Sequence, residues 1–198
     1  GHTYPGVSAP FGMVQLSPDT RLEGWDGCGG YHFSDSVIYG FSHTHLSGTG
    51  ISDYGDVLLM PTTGKIHLTN GVDEAKINDT PINQLGYASK FSHENEIAQA
   101  GYYQVLLDDY NINVELTSSI RAGIHRYTYP KDEEANVILD LKHRDKLLDY
   151  KINIIDSQTI TGYRHSSEWA REQRIYFTLK FSIPFLNLPT IEGQENIY

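Results

Sequence analysis

The stretch YYQVLLDDYNINVELTSSIRAGIHRYTY, residues 102–129, decides the fold class because much of it repeats with a period of two. Apolar and polar residues alternate there, with Ile112, Val114, Leu116 and Ile120 on one side and Asn113, Glu115, Thr117 and Arg121 on the other. This alternation is typical of a half-buried antiparallel strand. A turn at 109–111 is predicted to join this strand to an earlier one at 103–107. A later strand at 124–129 is predicted to end at Pro130.

The same period continues along the rest of the chain. Residues 136–141 form an apolar run, residues 151–155 and 159–165 flank the short loop Asp156-Ser157-Gln158, and alternation around Phe177 stops at Pro184. Strands at such regular spacing are typical of sandwiches and barrels. The sequence therefore predicts an all-β fold, an antiparallel sandwich of two packed sheets. Its long loops are expected at one edge, supplied by the first sixty residues.

Helix is expected to be sparse in this chain. Only residues 145–149 and 167–173 are candidates for helical segments, and each would make two turns or fewer. The tripeptides Ser17-Pro18-Asp19 and Trp25-Asp26-Gly27 are predicted to be turns, because Asp hydrogen-bonds to its own backbone and Pro and Gly favour turn conformations.

Bulk composition excludes several classes of function. The chain has 198 residues, a formal net charge of -10 from 15 basic and 25 acidic residues, and a mean hydropathy of -0.41. Nucleic-acid binding needs a basic face, so no nucleic-acid partner is expected. No stretch has the length and hydrophobicity of a membrane-spanning helix. The single cysteine, Cys28, makes an intrachain disulfide impossible.

Residues 2–61 are crowded with Gly, His, Asp, Tyr and Trp, which is typical of loops that carry sites. If His43-Thr44-His45 were a strand, both imidazoles would share one face, and Asp53 and Asp56 could complete a metal site. The alternative is a pair of polar histidines hydrogen-bonded to nearby loops. An isolated H-x-H pattern favours this second interpretation, so no metal ligands are assigned.

The carboxylates of this region suggest a second kind of chemistry. Two carboxylates on either side of a sugar bond would make a glycosidase, one acting as general acid and the other as base or nucleophile. The alternative is that each of them caps a turn, which is the commoner role of a loop Asp. The candidates are Asp19, Glu23, Asp26, Asp35, Asp53 and Asp56.

Trp25 and Cys28 lie in the most glycine-rich segment. An exposed indole there could stack on the C–H face of a pyranose, and the alternative is a tryptophan that fills the edge of the sheet. Nothing in this acidic neighbourhood would activate the Cys28 thiol, so a packed or ligand-contacting thiol is expected rather than a nucleophile.

Specific motifs resemble family 92 of the glycoside hydrolases, and the likeness spans nearly the whole chain. The matching runs are PFGMVQLSPD (10–19), GWDGC (24–28), GFSHTHLSGTG (40–50), AGYY (100–103), HRY (125–127), HRD (143–145), GYR (162–164) followed by WA (169–170), and FSIPF (181–185). Within the last run, Ile183 stands where the family more often has Lys.

The resemblance implies an exo-acting, inverting, calcium-dependent α-mannosidase that trims N-glycans or mannans. Enzymes of the family, found mostly in gut Bacteroidetes, have an N-terminal β-sandwich and a C-terminal α/α barrel. Residues 1–186 are accordingly expected to form the sandwich domain, and residues 187–198 a linker toward the absent barrel. The resemblance places the catalytic acid, the base and most calcium ligands in that barrel, so no catalytic residue is expected in this chain.

The resemblance also implies partners and a location. The tryptophan matching Trp25 contacts sugar where the two domains meet, and the same expectation extends to six further motif residues, Asp19, Asp26, Cys28, His43, His45 and Asp53. Expected partners are α-mannoside glycans and the C-terminal domain, with a dimer through the exposed domain interface as another possibility. A secreted, periplasmic or cell-surface location is expected. A free-standing lectin-like module and a metalloenzyme built on His43 and His45 stay as alternatives.

Overall fold

A computed structural model describes residues 1–71, 82–131 and 133–186. The chain divides into two compact units, Gly1–Arg144 and Asp145–Tyr198. Whether residues 1–186 form one domain and 187–198 a linker stays a prediction, because residues 187–198 lie outside the described ranges. In those ranges, no helix combines the length and the hydrophobicity needed to span a bilayer.

The first unit is built from antiparallel sheets, as predicted. Its five-stranded sheet has the order β1-β2-β4-β5-β11, with β1 at Val7–Ser8, β2 at Gln15–Asp19, β4 at Gly40–Ser42, β5 at Leu58–Thr63 and β11 at Ala135–Asp140. Its four-stranded sheet has the order β10-β9-β8-β7, with β7 at Glu96–Gln99, β8 at Tyr102–Leu107, β9 at Ile112–Ser118 and β10 at Gly123–Thr128. A smaller sheet pairs β3 (Val37–Ile38) with β6 (Ser89–Lys90), and α1 (Ile82–Leu85) and a 3₁₀ turn (His93–Asn95) complete the unit.

One hydrophobic core joins the two larger sheets of this unit. In β9 the predicted alternation is observed, since Ile112, Val114 and Leu116 are buried while the residues between them are not. These side chains belong to the same cluster as Leu16 of β2 and Phe41 of β4. Two sheets that share one core are the arrangement of a β-sandwich, so the predicted fold class is confirmed.

Ile120 does not follow the predicted pattern. Strand β9 ends at Ser118, and Ser119 N–H donates to the Ala122 carbonyl in the turn that follows. The Ile120 carbonyl accepts from Met13 N–H at 2.8 Å, and the Ile120 side chain is 58% exposed. The turn toward β10 therefore overrides the alternation.

The predicted turn at Ser17-Pro18-Asp19 is wrong, because these residues continue β2 and pair with β4. Gln15 N–H points toward β4, since it donates to the His43 carbonyl. Because N–H directions alternate along a strand, the backbone nitrogen of residue 18 points to the opposite side, toward β1. Pairing with β1 extends only to Leu16. Pro18 lies beyond it, where a missing N–H costs no ladder hydrogen bond. The second predicted turn, at residues 25–27, is confirmed.

The second unit contains a three-stranded antiparallel sheet in the order β12-β13-β14. Its strands are β12 (Lys146–Asp156), β13 (Thr159–Ser167) and β14 (Gln173–Lys180). The predicted hairpin around residues 156–158 is confirmed. Both predicted helices are wrong: residues 146–149 begin β12, and residues 168–172 form bends before β14. Segments this short do not nucleate a stable helix, whereas pairing with β13 satisfies the backbone of β12.

Candidate functional site

Two glycine-rich loops of the first unit, residues 21–30 and 44–57, lie against each other, and together we call them the lip. Gly29 fits close to the Leu46 carbonyl, where an added Cβ would lie only 3.0 Å from its oxygen. The Cys28 thiol donates to the Thr49 carbonyl at 2.9 Å and lies 3.2 Å from His2 Nδ1. Cys28 is buried, as expected of a packed thiol. Its hydrogen bond to Thr49 connects the two loops of the lip.

Trp25 is the most prominent side chain of the lip. It is 71% exposed, which rules out the alternative in which it fills the edge of a sheet. Its ring packs over Gly50, where an added Cβ would collide with the indole. The indole and the His2 ring form a T-shaped pair with centroids 5.5 Å apart. The lip thus presents an indole to solvent and supports it from the loop that faces it.

A buried ionic cluster lies behind the lip. Asp19, at the end of β2, is fully buried, with Oδ1 2.9 Å from His45 Nε2 and Oδ2 3.1 Å from His143 Nε2. The Asp19–His143 pair is close enough for charge interaction but lacks hydrogen-bond geometry. Gly30, at φ +95°, leaves the space that Asp19 Oδ1 occupies, since an added Cβ would overlap that oxygen.

The geometry of this cluster fixes its charges. His45 Nδ1 lies 2.6 Å from the Gln15 carbonyl, so it donates there, while its Nε2 faces the Asp19 carboxylate. Both ring nitrogens therefore carry protons, as in an imidazolium. Burial alone would raise the pKa of Asp19, but His45 and His143 outweigh it and hold that pKa well below its usual value. The cluster is a buried ion pair.

Arg144 connects this region to both loops of the lip. Its Nε donates to the Leu22 carbonyl at 3.2 Å, and its Nη2 donates to the Cys28 carbonyl at 3.1 Å and to Ser52 Oγ. The side chain is almost fully buried. The HRD run at 143–145 is one of the matching motifs, but neither His143 nor Arg144 was predicted to be a site residue. Basic side chains in a motif within an acidic chain were the available signal.

His43 and His45 hydrogen-bond to different partners, which agrees with the interpretation favoured for the H-x-H pattern. β4 ends at Ser42, so the alternation of a strand no longer applies to these two residues. His43 belongs to a separate chain of hydrogen bonds: Tyr127 O–H donates to His125 Nδ1 (2.8 Å), His125 Nε2 donates to His43 Nε2 (3.1 Å), and His43 Nδ1 donates to the Val57 carbonyl (2.6 Å). Every proton in this chain is accounted for with both imidazoles neutral.

Burial lowers the pKa of His43 from its usual 6.5, and burial together with His43 holds the pKa of His125 well below that value. A lowered pKa means that the unfolded chain binds more protons, so this contribution to stability is present above pH 6.5 and is lost as the pH falls toward the folded pKa values. We expect the free energy of unfolding to decrease as the pH falls from 7 to 5. The decrease per pH unit should be smaller in His125→Gln than in the native chain, because the variant lacks one of the two histidines. Urea unfolding at several pH values measures the slope, and equal slopes in the two proteins would contradict this prediction.

The other predicted carboxylates differ in their exposure. Asp53 and Asp56 are buried, where Asp53 Oδ1 accepts from Tyr54 N–H and Asp56 Oδ2 from the Thr44 hydroxyl. Asp26 is exposed and lies 3.1 Å from His32 Nε2. No cluster of three or more His, Cys, Asp or Glu suited to a metal ion occurs in residues 1–71, 82–131 and 133–186. The proposed contacts of the individual site residues with sugar stay predictions.

Comparisons with known proteins agree with the family that the motifs resemble. The sequence model of the glycosyl hydrolase family 92 N-terminal domain matches residues 1–197. A family 92 α-mannosidase from Bacteroides thetaiotaomicron, solved alone and in complex with mannoimidazole, is 39% identical with a TM-score of 0.84, over 93% of this chain. An uncharacterized secreted glycosidase from Arthroderma benhamiae is 28% identical over 131 residues, 66% of this chain.

This chain spans only part of the length of these relatives. It covers 24% of the solved α-mannosidase chain and 16% of the fungal glycosidase. The family match, in contrast, extends over nearly every residue of the chain and agrees with the antiparallel sheets described above. The chain therefore belongs to glycosyl hydrolase family 92, as its N-terminal domain.

Proposed function

We propose that this chain is the N-terminal domain of an exo-acting, inverting α-mannosidase that hydrolyses terminal α-mannosides of N-glycans or mannans. In this proposal the lip forms one wall of the sugar pocket and a C-terminal domain forms the other. The chain by itself binds mannose weakly and hydrolyses nothing. The whole activity is assigned from the family, and the role of the lip is assigned from its geometry.

The exposed indole of Trp25 is the observation that carries the proposal. A flat aromatic ring stacks on the C–H face of a pyranose, so an indole exposed on an anchored loop is suited to binding sugar. Trp25 is 71% exposed although its loop is anchored on a buried ion pair and a buried arginine. Such anchoring favours a preformed binding wall over a surface loop of no particular role.

The carboxylates of the lip support a role in binding rather than catalysis. Inversion requires an acid and a base about 6.5–9.5 Å apart on opposite sides of the glycosidic bond, both accessible to the sugar. Asp19, Asp53 and Asp56 are buried and committed to partners inside the first unit. We therefore place the acid and the base in the C-terminal domain, and we assign Asp19, Cys28, His45 and Asp53 to shaping the lip behind Trp25.

Calcium belongs to the proposal only through the C-terminal domain. No group of metal-binding side chains occurs in the described part of this chain, so no residue here is assigned to the ion. Calcium would supply positive charge for the sugar oxygens and the attacking water when bound there. This chain contributes to binding and orientation, which are independent of the metal.

An exposed apolar surface of the first unit is proposed to meet the C-terminal domain. Phe11, held at φ 56°, is completely exposed, and Met13, whose N–H donates to the Ile120 carbonyl at 2.8 Å, is 51% exposed. Ile120 and Ile124 add two further exposed aliphatic side chains. A soluble domain rarely leaves such a surface uncovered. In the chain alone, a second copy could cover it, which is the dimer that the sequence suggested.

A secreted or cell-surface location is part of the proposal. The related fungal protein is named a secreted glycosidase, and polymeric α-mannosides such as mannans are met outside the cell. The location is therefore inferred from the relative and from the class of substrate.

The test compares the full-length protein with this chain alone on an α-mannobiose. We expect the full-length protein to release mannose whose first-formed anomer, followed by ¹H NMR, is β, because inversion converts the α-linkage. The chain alone should release none, since the proposal places the acid and the base in the C-terminal domain. Release of mannose by the chain alone, or α-mannose as the first product of the full-length protein, would contradict the proposal.

The lectin-like module is the second candidate, because an exposed Trp25 on an anchored loop would suit it equally well. Such a module must hold sugar without help, so it needs a complete binding site within the chain. Mannose titrated into the chain alone distinguishes the two: a wall that is half of a pocket gives millimolar or weaker binding, whereas micromolar binding would favour the lectin.

A further inference from the structure

The geometry points to Arg144 as the positioning residue of the lip: one buried guanidinium fixes the position of Trp25 by binding two backbone carbonyls of residues 21–30 and the Ser52 hydroxyl of residues 44–57. This inference rests on the proposed function for its effect on catalysis. Its effect on the order of the lip does not depend on that function and can be measured separately.

The positions that Arg144 binds are arranged around Trp25. The Leu22 carbonyl, 3.2 Å from Nε, and the Cys28 carbonyl, 3.1 Å from Nη2, lie three residues before and three residues after Trp25. The third contact, Ser52 Oγ, lies two residues after Gly50, on which the indole packs. One side chain therefore fixes both ends of the segment that carries Trp25 and the segment that supports it.

The lip is also shaped to admit this arginine. Gly55, at φ +83°, packs on the aliphatic part of the side chain, since an added Cβ would lie 2.8 Å from Arg144 Cδ. Gly30, at φ +95°, leaves room for the guanidinium, because an added Cβ would lie 3.1 Å from Arg144 Nη1. Both glycines are in the left-handed region, where other residues are strained. Ser52 also donates to the Leu22 carbonyl at 3.4 Å, which links two of the anchored positions directly.

Lysine cannot reproduce these contacts. Arginine presents several N–H donors in a rigid plane and can reach acceptors from three segments at once, whereas lysine carries a single point of charge on a flexible stem. Loss of the guanidinium would take from the buried Cys28 carbonyl the donor that Nη2 supplies. Arg144→Lys keeps the charge and most of the volume, so it tests the planar set of guanidinium donors separately from the charge.

The first measurement is hydrogen–deuterium exchange by mass spectrometry on the full-length protein. Arg144→Lys should lower protection about tenfold in peptides covering residues 21–30 and 44–57 and leave peptides from residues 102–118 unchanged. The matched control is Arg126→Lys, which alters an exposed arginine paired with Glu115 on the four-stranded sheet and should leave the lip unchanged. Unchanged protection of the lip in Arg144→Lys would overturn the inference.

The second measurement is a double-mutant cycle on kcat/KM for an α-mannobiose. Arg144→Lys should lower kcat/KM by up to about 10²-fold in the native background, because misplacing a contact by an ångström costs that much. In the Trp25→Ala background it should cost less than about threefold, because the side chain that it positions is already gone. Equal losses in both backgrounds would show a general effect on folding and would overturn the inference.

The experiments distinguish failure of the proposed sugar contact of Trp25 from failure of the positioning role of Arg144. If Trp25→Ala alone left kcat/KM unchanged, the proposed sugar contact would fail, and hydrogen exchange would still decide whether Arg144 orders the lip. If Arg144→Lys did not fold, Ser52→Ala would replace it, since this change removes one anchored acceptor on the partly exposed side of the lip. The same local loss of protection at residues 44–57 is then expected, and its absence would count against the inference.

Discussion

Trp25→Ala in the full-length protein is expected to lower kcat/KM for an α-mannoside on the order of 10²-fold. The indole is the exposed element of the lip, so its removal takes away both the stacking surface and the wall that orients the sugar. Because a stacking contact is present before and during the reaction, KM should rise, and misorientation of the sugar should also lower kcat. The free energy of unfolding should change by less than about 0.5 kcal/mol, as for other exposed positions.

Trp169→Ala is the matched control for this change. Trp169, the other tryptophan of the chain, is 63% exposed and lies in the second unit, away from the lip in sequence. It should leave kcat/KM within about twofold of the native value, because the proposal assigns no sugar contact to the second unit. Equal losses in the two variants would remove the case for the lip, and an unchanged kcat/KM in Trp25→Ala would show that the indole does not reach the sugar.

Asp19→Asn should be the most destabilising single substitution in the buried cluster. It removes the negative charge that lies 2.9 Å from His45 Nε2 and 3.1 Å from His143 Nε2, at a side chain with no exposed surface. Leaving a buried charge without its partner costs about 3–5 kcal/mol. The Tm should therefore fall by roughly 6–20 °C for a chain of this size, which calorimetry measures directly.

The pH dependence of stability provides the control for this prediction. Because the pKa of Asp19 is lowered in the folded state, its contribution is present above the ordinary value of 3.8 and is lost as the pH falls through the folded value. Asp19→Asn should lack that acid-dependent part. Glu172→Gln, which breaks an exposed ion pair with Arg174, should cost at most about 1 kcal/mol. Similar losses in the two variants would contradict the buried ion pair.

The sheets could be predicted from the sequence because their period is a local property. Residues 112–118 alternate between buried and unburied positions, and the hairpin joining β12 and β13 follows its short polar loop. The errors arose where tertiary pairing decided the outcome. Residues 146–149 have no strong local preference and join a strand because β13 offers backbone partners. Pro18 fits a strand because the pairing of β2 with β1 ends at Leu16.

The site could be predicted only in part. The glycine-rich segment around Trp25 left open an exposed indole and one that fills the sheet edge, and the structure shows it exposed. Hydrogen-bonded histidines were the favoured interpretation of His43 and His45, but their partners could not be predicted because several of them are distant in sequence. Arg144 lies more than a hundred residues from the carbonyls of Leu22 and Cys28 that it binds, so no local pattern connects it to the lip.

The most direct test of the central claim is a crystal structure of the full-length protein with mannoimidazole, the ligand bound in the related Bacteroides thetaiotaomicron enzyme. We expect the Trp25 ring to lie within about 4 Å of the sugar-like ring, in van der Waals contact. A bound ligand more than about 10 Å from every atom of the lip, well beyond contact distance, would show that this domain takes no part in the pocket.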